Sequence, residues 1–199
     1  MYNKYLQARN GAWAVLIQSG IDRLPVDLSK IADRYEISIV CFSKVGHVPV
    51  AMLDDDGFST ITNGRPTVYL NDLISYRPRR RFTTAHEIGH VIMAHPLDQI
   101  LHRNSEQDEG QSTIEMQANI FARDLLMPGC VLAALDVHTP EEIMQLCDVS
   151  YTSACIRAER LETLYQRGQF GAHPLERHVL DRFRDYIRDY RNSRPGWHP

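Results

Sequence analysis

The chain has 199 residues, 43% of them hydrophobic and 24% charged, with a net charge of -3. These values are ordinary for a soluble globular protein, and the slight acidic excess argues against wholesale nucleic-acid binding. Because the few cysteines form no C-x-x-C pair and no segment has the pattern of a secretory signal or a membrane span, we expect reduced thiols in a cytoplasmic protein without a membrane partner.

The N-terminal part of the sequence combines helical periodicity with segments rich in β-branched residues. Residues 2–18 and 28–35 show the apolar spacing of helices. Four segments are typical of strands: 37–42, 48–53, 58–62 and 67–71. The Asn63-Gly64 pair between the last two is a strong hairpin signal. We therefore expect a small, mostly antiparallel sheet between residues 37 and 71.

The rest of the sequence is predicted to be helical apart from a polar loop at residues 97–111. Predicted helices span residues 82–95, 113–127, 129–135, 140–147, 151–166 and 174–191. The pattern indicates an α+β fold in which the sheet packs against a helical core, with further helices at the C-terminal end. We expect one domain over residues 1–135, a helical region at 136–191 packed on the same domain, and a flexible tail at 192–199.

The helix predicted at residues 82–95 contains His86-Glu87-Ile88-Gly89-His90, the H-E-x-x-H pattern of zinc-dependent hydrolases. Positions i and i+4 lie one turn apart on one helix face, so two imidazoles at this spacing can bind one metal ion. The glutamate between them is then held near the metal-bound water. The alternative is a buried helix whose histidines make structural hydrogen bonds.

A catalytic zinc site usually has three protein ligands and an open position for water, so the motif leaves one ligand to be found. The downstream candidates are His95, Asp98, His102, Glu106, Asp108, Glu109 and Glu115. On a continuous helix, His95 lies around the helix from the edge that carries His86 and His90. The candidates between residues 98 and 109 lie in the predicted loop, which is a poor platform for a fixed ligand.

Glu115 differs from these candidates because it lies on the next predicted helix, one turn before Asn119. A carboxylate on an otherwise core-directed helix must be paired or bound to metal. Asn119 would accept the second ring N–H of a zinc-binding histidine. Taken alone, Glu115 would be read as an exposed first-turn glutamate stabilised by the helix dipole. Beside H-E-x-x-H, a metal ligand is the better interpretation.

Several segments of this sequence are similar to one family. They are Arg81-Phe82-Thr83-Thr84-Ala85-His86-Glu87-Ile88-Gly89-His90, Glu115-x-x-Ala118-Asn119-x-Phe121-Ala122 and Leu125-Leu126-Met127-Pro128, with further similarity at Leu24-Pro25-Val26-Asp27-Leu28 and Tyr69-Leu70-Asn71. Together they resemble the ImmA/IrrE family of zinc metallopeptidases, which implies a zincin-like helical core around the H-E-x-x-H helix. The resemblance implies Zn²⁺ bound by His86, His90 and Glu115, with Glu87 as general base. It also implies site-specific cleavage of a helix-turn-helix transcriptional repressor.

Peptide hydrolysis also needs a donor, besides zinc, for the oxyanion that forms in the transition state. Tyr and His side chains commonly supply it. The sequence offers Tyr69, Tyr76, His95 and His102. It does not choose among them, so we leave this role unassigned.

Two segments raise an alternative function in nucleic-acid binding. The basic run at residues 77–81 is short and interrupted by Pro78, which favours a solvated helix start or a contact with an acidic substrate. Residues 141–164 have the cadence of a helix-turn-helix, but the charges of the second helix are balanced rather than basic. We expect packing or partner docking there and no direct nucleic-acid contact. The competing hypothesis is a DNA- or repressor-binding regulator with a structural or latent zinc site.

Overall fold

The computed structural model describes residues 2–46, 55–97, 109–168 and 170–193. Its elements are α1 (Tyr2–Gln18), α2 (Leu28–Arg34), β1 (Ser38–Cys41), β2 (Gly57–Thr62), β3 (Arg65–Leu70), α3 (Arg77–Ile92), α4 (Glu109–Leu126), α5 (Gly129–Ala134), α6 (Pro140–Cys147), α7 (Tyr151–Arg167), α8 (Pro174–Arg182) and α9 (Arg184–Ser193). A small sheet accompanied by many helices confirms the predicted α+β class. Within the described ranges, no helix combines the length and apolar character that a bilayer crossing requires.

The described strands form a mixed sheet in the order β1-β3-β2. The hairpin between β2 and β3 turns at Asn63 and Gly64, whose φ angles of 52° and 76° are those of a two-residue turn with left-handed backbone. β3 lies between β2 and β1 and runs parallel to β1, with Ser38 opposite Thr67. The strand predicted at residues 48–53 lies outside the described residues.

Packing divides the chain into two compact units. Unit 1 comprises Met1–Ala12 and Leu28–Ala122, and unit 2 comprises Trp13–Asp27 and Arg123–Pro199. Unit 1 contains the sheet, α3 and most of α4, and its buried core includes Ile31, Val68, Ile88 and Phe121. Unit 2 contains helices α5 to α9, with Leu132, Ile143, Leu161 and Phe183 among its buried residues. The predicted division into residues 1–135 and 136–191 followed helix patterns and stays a prediction.

Two helix boundaries differ from the prediction for identifiable reasons. α3 begins at Arg77 instead of residue 82, because Pro78 lies in the first turn, where its missing N–H is not needed for a helical hydrogen bond. The basic run is therefore part of α3. The helix predicted at 174–191 is divided into α8 and α9 at Phe183, which leaves helical dihedrals (φ -89°, ψ 4°) and buries its ring completely.

Candidate metal centre

The second half of α3 is buried although it is largely polar. Every residue from Thr83 to His90 is buried. The hydroxyls of Thr83 and Thr84 donate to the carbonyl oxygens of Arg79 and Arg80 one turn earlier, at 3.1 and 2.8 Å. Their polarity is thus satisfied within the helix, whereas the imidazoles and the carboxylate must find partners elsewhere.

Two of the buried α3 side chains and one half-buried side chain of α4 converge on one point. His86, His90 and Glu115 each offer a ligand atom, and these atoms all lie within 4.8 Å of one another. The Nε2 atoms of His86 and His90 are 3.0 Å apart, and they lie 3.2 and 3.4 Å from the two carboxylate oxygens of Glu115. Two imidazole nitrogens and a carboxylate are a ligand set that zinc takes in catalytic sites.

The separations of these atoms also suit a single small ion. Ligand atoms placed tetrahedrally about 2.0–2.1 Å from Zn²⁺ lie roughly 3.3–3.4 Å from one another. The separations of 3.0, 3.2 and 3.4 Å are close to that value, although the last two are to different oxygens of Glu115. The residues present therefore fit a zinc ion.

Asn119 contacts the outer nitrogen of His86. Its Oδ1 lies 3.0 Å from His86 Nδ1, while Nε2 of the same ring faces Glu115. An amide oxygen at this position accepts a hydrogen bond from the Nδ1–H group, which selects the tautomer whose Nε2 lone pair points at the ligand cluster. The sequence singled out Asn119 for this contact because it lies one helical turn after Glu115 on α4.

His95 contacts the outer nitrogen of His90, although the sequence placed it around the helix. Its Nδ1 lies 3.1 Å from His90 Nδ1. The expectation that α3 continues to His95 is wrong, because the helix ends at Ile92 and Ala94 adopts a left-handed φ of 54°. The amides of Ala94 and His95 donate back to the carbonyls of Val91 and His90, at 3.2 and 3.0 Å.

This pair of hydrogen bonds is a Schellman motif, which folds the chain back over the last turn of a helix. It is the reason that His95 lies beside His90. Burial lowers the pKa of His95, so its ring is neutral near pH 7. No glycine marks the left-handed position, and the sequence therefore carried no signal for this contact.

Glu87, the glutamate between the two histidines, is only 5% exposed. Ser59 on β2 donates a hydrogen bond from Oγ to Glu87 Oε2, at 2.9 Å. Ser59 was not predicted from the sequence, since a serine in a strand 28 residues upstream belongs to no recognisable motif. The contact becomes visible only when the sheet is placed against α3.

Gly89 allows α4 to approach α3 closely enough for this arrangement. A Cβ atom at Gly89 would lie 2.9 Å from Cδ1 of Phe121, closer than carbon atoms normally approach. Phe121 lies on α4, after Glu115 and Asn119. The small residue in the motif therefore sets the distance between the helix that carries the histidines and the helix that carries the carboxylate.

The other residues considered from the sequence do not join the cluster in the described part of the chain. Asp98, His102, Glu106 and Asp108 lie outside the described residues, as does the side chain of Glu109. Tyr69 places its hydroxyl 3.1 Å from Thr62 Oγ1, and Tyr76 is 51% exposed before the start of α3. The oxyanion-stabilising role stays unassigned.

Comparison with known proteins identifies the family of this chain. The sequence matches the model of the family Peptidase M78, described as an IrrE N-terminal-like domain, over residues 40–159. A search of curated proteins found no match. The matched segment covers more than half of the chain and contains α3, α4 and the whole His86, His90 and Glu115 cluster. This chain therefore belongs to the Peptidase M78 family, in agreement with its resemblance to ImmA/IrrE proteins, and the family is one of metallopeptidases.

Proposed function

We propose that this protein is a zinc-dependent endopeptidase whose substrate is a helix-turn-helix transcriptional repressor. The observation that carries the proposal is the convergence of His86, His90 and Glu115 at zinc-like separations beside Glu87, in a chain of a metallopeptidase family. The repressor as substrate rests on the resemblance to ImmA/IrrE proteins. Three protein ligands favour catalysis over structural zinc, which normally has four.

The ligand cluster would hold Zn²⁺ through the Nε2 atoms of His86 and His90 and the carboxylate of Glu115. Bound there, Zn²⁺ would polarise the scissile carbonyl and lower the pKa of the attacking water. Asn119 and His95 would keep the two imidazole rings oriented, because each contacts the ring nitrogen that faces away from the cluster. These outer contacts reduce the number of ways in which the ligands can move.

Glu87 is the residue we assign to proton transfer. Its carboxylate accepts a proton from the water as the water oxygen attacks the carbonyl carbon of the peptide. When the C–N bond breaks, Glu87 delivers that proton to the leaving amine and returns to its ionised form. Its burial excludes bulk water that would otherwise compete for this proton.

The competing hypothesis is a DNA- or repressor-binding regulator with a structural or latent zinc site. The exposed charged residues of α7 do not form a basic surface, because two glutamates balance two arginines: Glu159, Arg160, Glu162 and Arg167. Arg157 on α7 is 2% exposed and pairs with Asp124 at 3.0 Å, so it is not available to a phosphate group. Arg79, in the basic run, forms a bidentate pair with Asp56 at 2.6 and 2.7 Å. These charges do not favour the DNA-binding form of the hypothesis.

The test is to co-express this protein with the repressor encoded beside its gene and to follow the size of the repressor. Glu87→Gln keeps the shape of the side chain but removes the base, and we expect it to reduce the cleavage rate by about 10²–10⁴-fold. Asp185→Asn, which neutralises an exposed carboxylate on α9, serves as the matched control and should cleave normally.

Zinc content should be the same in wild type and Glu87→Gln. Cleavage by both proteins at one rate would contradict the role of Glu87. An intact repressor with zinc-loaded wild type would contradict the proposed substrate. Sequence-specific DNA binding that persists after zinc removal would favour the regulator hypothesis instead.

A further inference from the structure

We propose that Ser59 is a positioning residue for Glu87, holding its carboxylate in the orientation that proton transfer requires. This inference rests on the proposed function of Glu87 as general base. It concerns a strand residue that lies outside the H-E-x-x-H motif and outside the ligand cluster. Three features of the structure support it: the hydrogen bond itself, the burial of its acceptor and the way β2 is seated on α3.

The hydrogen bond has the geometry of a strong contact. Ser59 Oγ lies 2.9 Å from Glu87 Oε2, within the range for an O–H donor to an oxygen acceptor. A hydroxyl that donates to an ionised carboxylate makes a charge-assisted bond, which is stronger than one between neutral groups. Because Glu87 is almost fully buried, water cannot easily replace this donor.

The position of Ser59 follows from the close approach of β2 to α3. Gly57 and Ser59 are two residues apart and therefore lie on the same face of the strand. A Cβ atom at Gly57 would lie 3.0 Å from Cγ2 of Thr83 and 2.6 Å from the carbonyl oxygen of Tyr69. Only glycine fits between the neighbouring strand and the helix at this point, so β2 lies directly against α3.

The next contact between β2 and α3 follows from the length that each element spans per residue. Two residues of an antiparallel strand span about 6.8 Å, and four residues of a helix span about 6 Å. The strand residue two positions after Gly57 is Ser59, and the helix residue four positions after Thr83 is Glu87. The contact at Gly57 therefore places the Ser59 hydroxyl beside the Glu87 carboxylate, on a rigid element.

A purely structural hydroxyl and a positioning hydroxyl predict different kinetics. A structural hydroxyl would affect stability and leave the rate of the folded enzyme unchanged. A positioning hydroxyl affects the step in which Glu87 takes the proton, so its loss lowers kcat while KM stays nearly constant. Restoring a hydroxyl at the same position should restore kcat.

The experiment compares Ser59→Ala and Ser59→Thr with Thr60→Ala in the zinc-loaded protein. Thr60 is the matched control, because it lies next to Ser59 on the same strand and, by strand alternation, on the face turned away from α3. We expect Ser59→Ala to lower kcat about tenfold or more with little change in KM, and Ser59→Thr to recover most of the loss. A Ser59→Ala protein with the kcat of Thr60→Ala would overturn the proposal.

A second measurement does not depend on activity. Ser59→Ala, Glu87→Ala and the double variant form a cycle whose urea unfolding midpoints report the contact itself. We expect non-additive midpoints, whereas the same cycle built with Thr60→Ala should be additive. If the cycle of Ser59 and Glu87 were additive while the wild type was active, the role of Ser59 would be refuted and the proposed function would stand. An inactive, zinc-loaded wild type would refute the proposed function and, with it, any catalytic use of the contact.

Discussion

The close approach of α3 and α4 at Gly89 can be tested by adding a single methyl group. In Gly89→Ala, the new Cβ atom would lie 2.9, 3.3 and 3.4 Å from Cδ1, Cγ and Cβ of Phe121. Because the overlap includes the root of the side chain, rotation of the ring cannot remove it. Normal carbon contacts of about 3.5–4.0 Å require a displacement of several tenths of an ångström. Zinc ligands tolerate deviations of only about 0.2 Å.

Gly11 provides the matched control because it is also a helical glycine that faces Phe121. A Cβ atom there would lie 3.7 Å from the ring and 3.2 Å from the sulfur of Met93, whose flexible side chain can move. Glycine to alanine in a helix interior gains about 1 kcal/mol, and overpacking costs about 1–3 kcal/mol. We therefore expect Gly11→Ala to be neutral or slightly stabilising.

For Gly89→Ala we expect a loss of about 1 kcal/mol in the free energy of unfolding and a zinc affinity reduced about tenfold or more. Urea unfolding with a chelator present measures the first quantity, and competition with a chromogenic chelator measures the second. If Gly89→Ala kept both the stability and the zinc affinity of the wild type, the helix spacing would not control the metal centre. An equal loss in Gly11→Ala would point to a general helix effect instead.

The outer contacts, a buried ion pair and a buried thiol give three further predictions. Asn119→Ala and His95→Ala should each lower zinc affinity about 10–100-fold by chelator competition, while the exposed His138→Ala should not. Burial disfavours the charged form of Asp124, but Arg157 and Arg123 outweigh burial and hold the pKa of this carboxyl below its usual value. The stability that the ionised carboxylate contributes is therefore complete above about pH 4 and is lost as pH falls through the lowered pKa. Asp124→Asn, which leaves a buried guanidinium without its partner, should cost about 3–5 kcal/mol in urea unfolding at pH 7, and this cost should shrink in acid; a constant cost would contradict the linkage. Burial raises the pKa of Cys130 to about 12, so its thiol should react with a disulfide reagent at pH 8 only after unfolding.

Local patterns predicted the elements that local interactions decide. The Asn63-Gly64 turn was predictable because few residues adopt left-handed backbone at two consecutive positions. Most helices were found within a few residues of their ends because their apolar spacing is regular. At the candidate site, the i and i+4 pairs His86/His90 and Glu115/Asn119 were each visible from the geometry of a single helix.

Contacts between distant segments were not predictable from such patterns. The parallel pairing of β1 with β3 depends on which strands become neighbours in the sheet, and the composition of a strand does not encode its neighbours. Ser59 is an ordinary strand residue until Gly57 brings the strand onto α3. His95 was misplaced because an alanine, which usually continues a helix, takes the left-handed conformation that ends α3.

Ala94, the left-handed residue at the end of α3, also fixes the number of residues between His90 and His95. The returning hydrogen bonds join His90 to His95 through a turn of set length, so one inserted or deleted residue would break these bonds and separate the two rings. The same spacing can be sought in other members of the family. A histidine five positions after H-E-x-x-H, preceded by a residue that tolerates left-handed backbone such as Gly or Asn, would mark the same support for the metal centre.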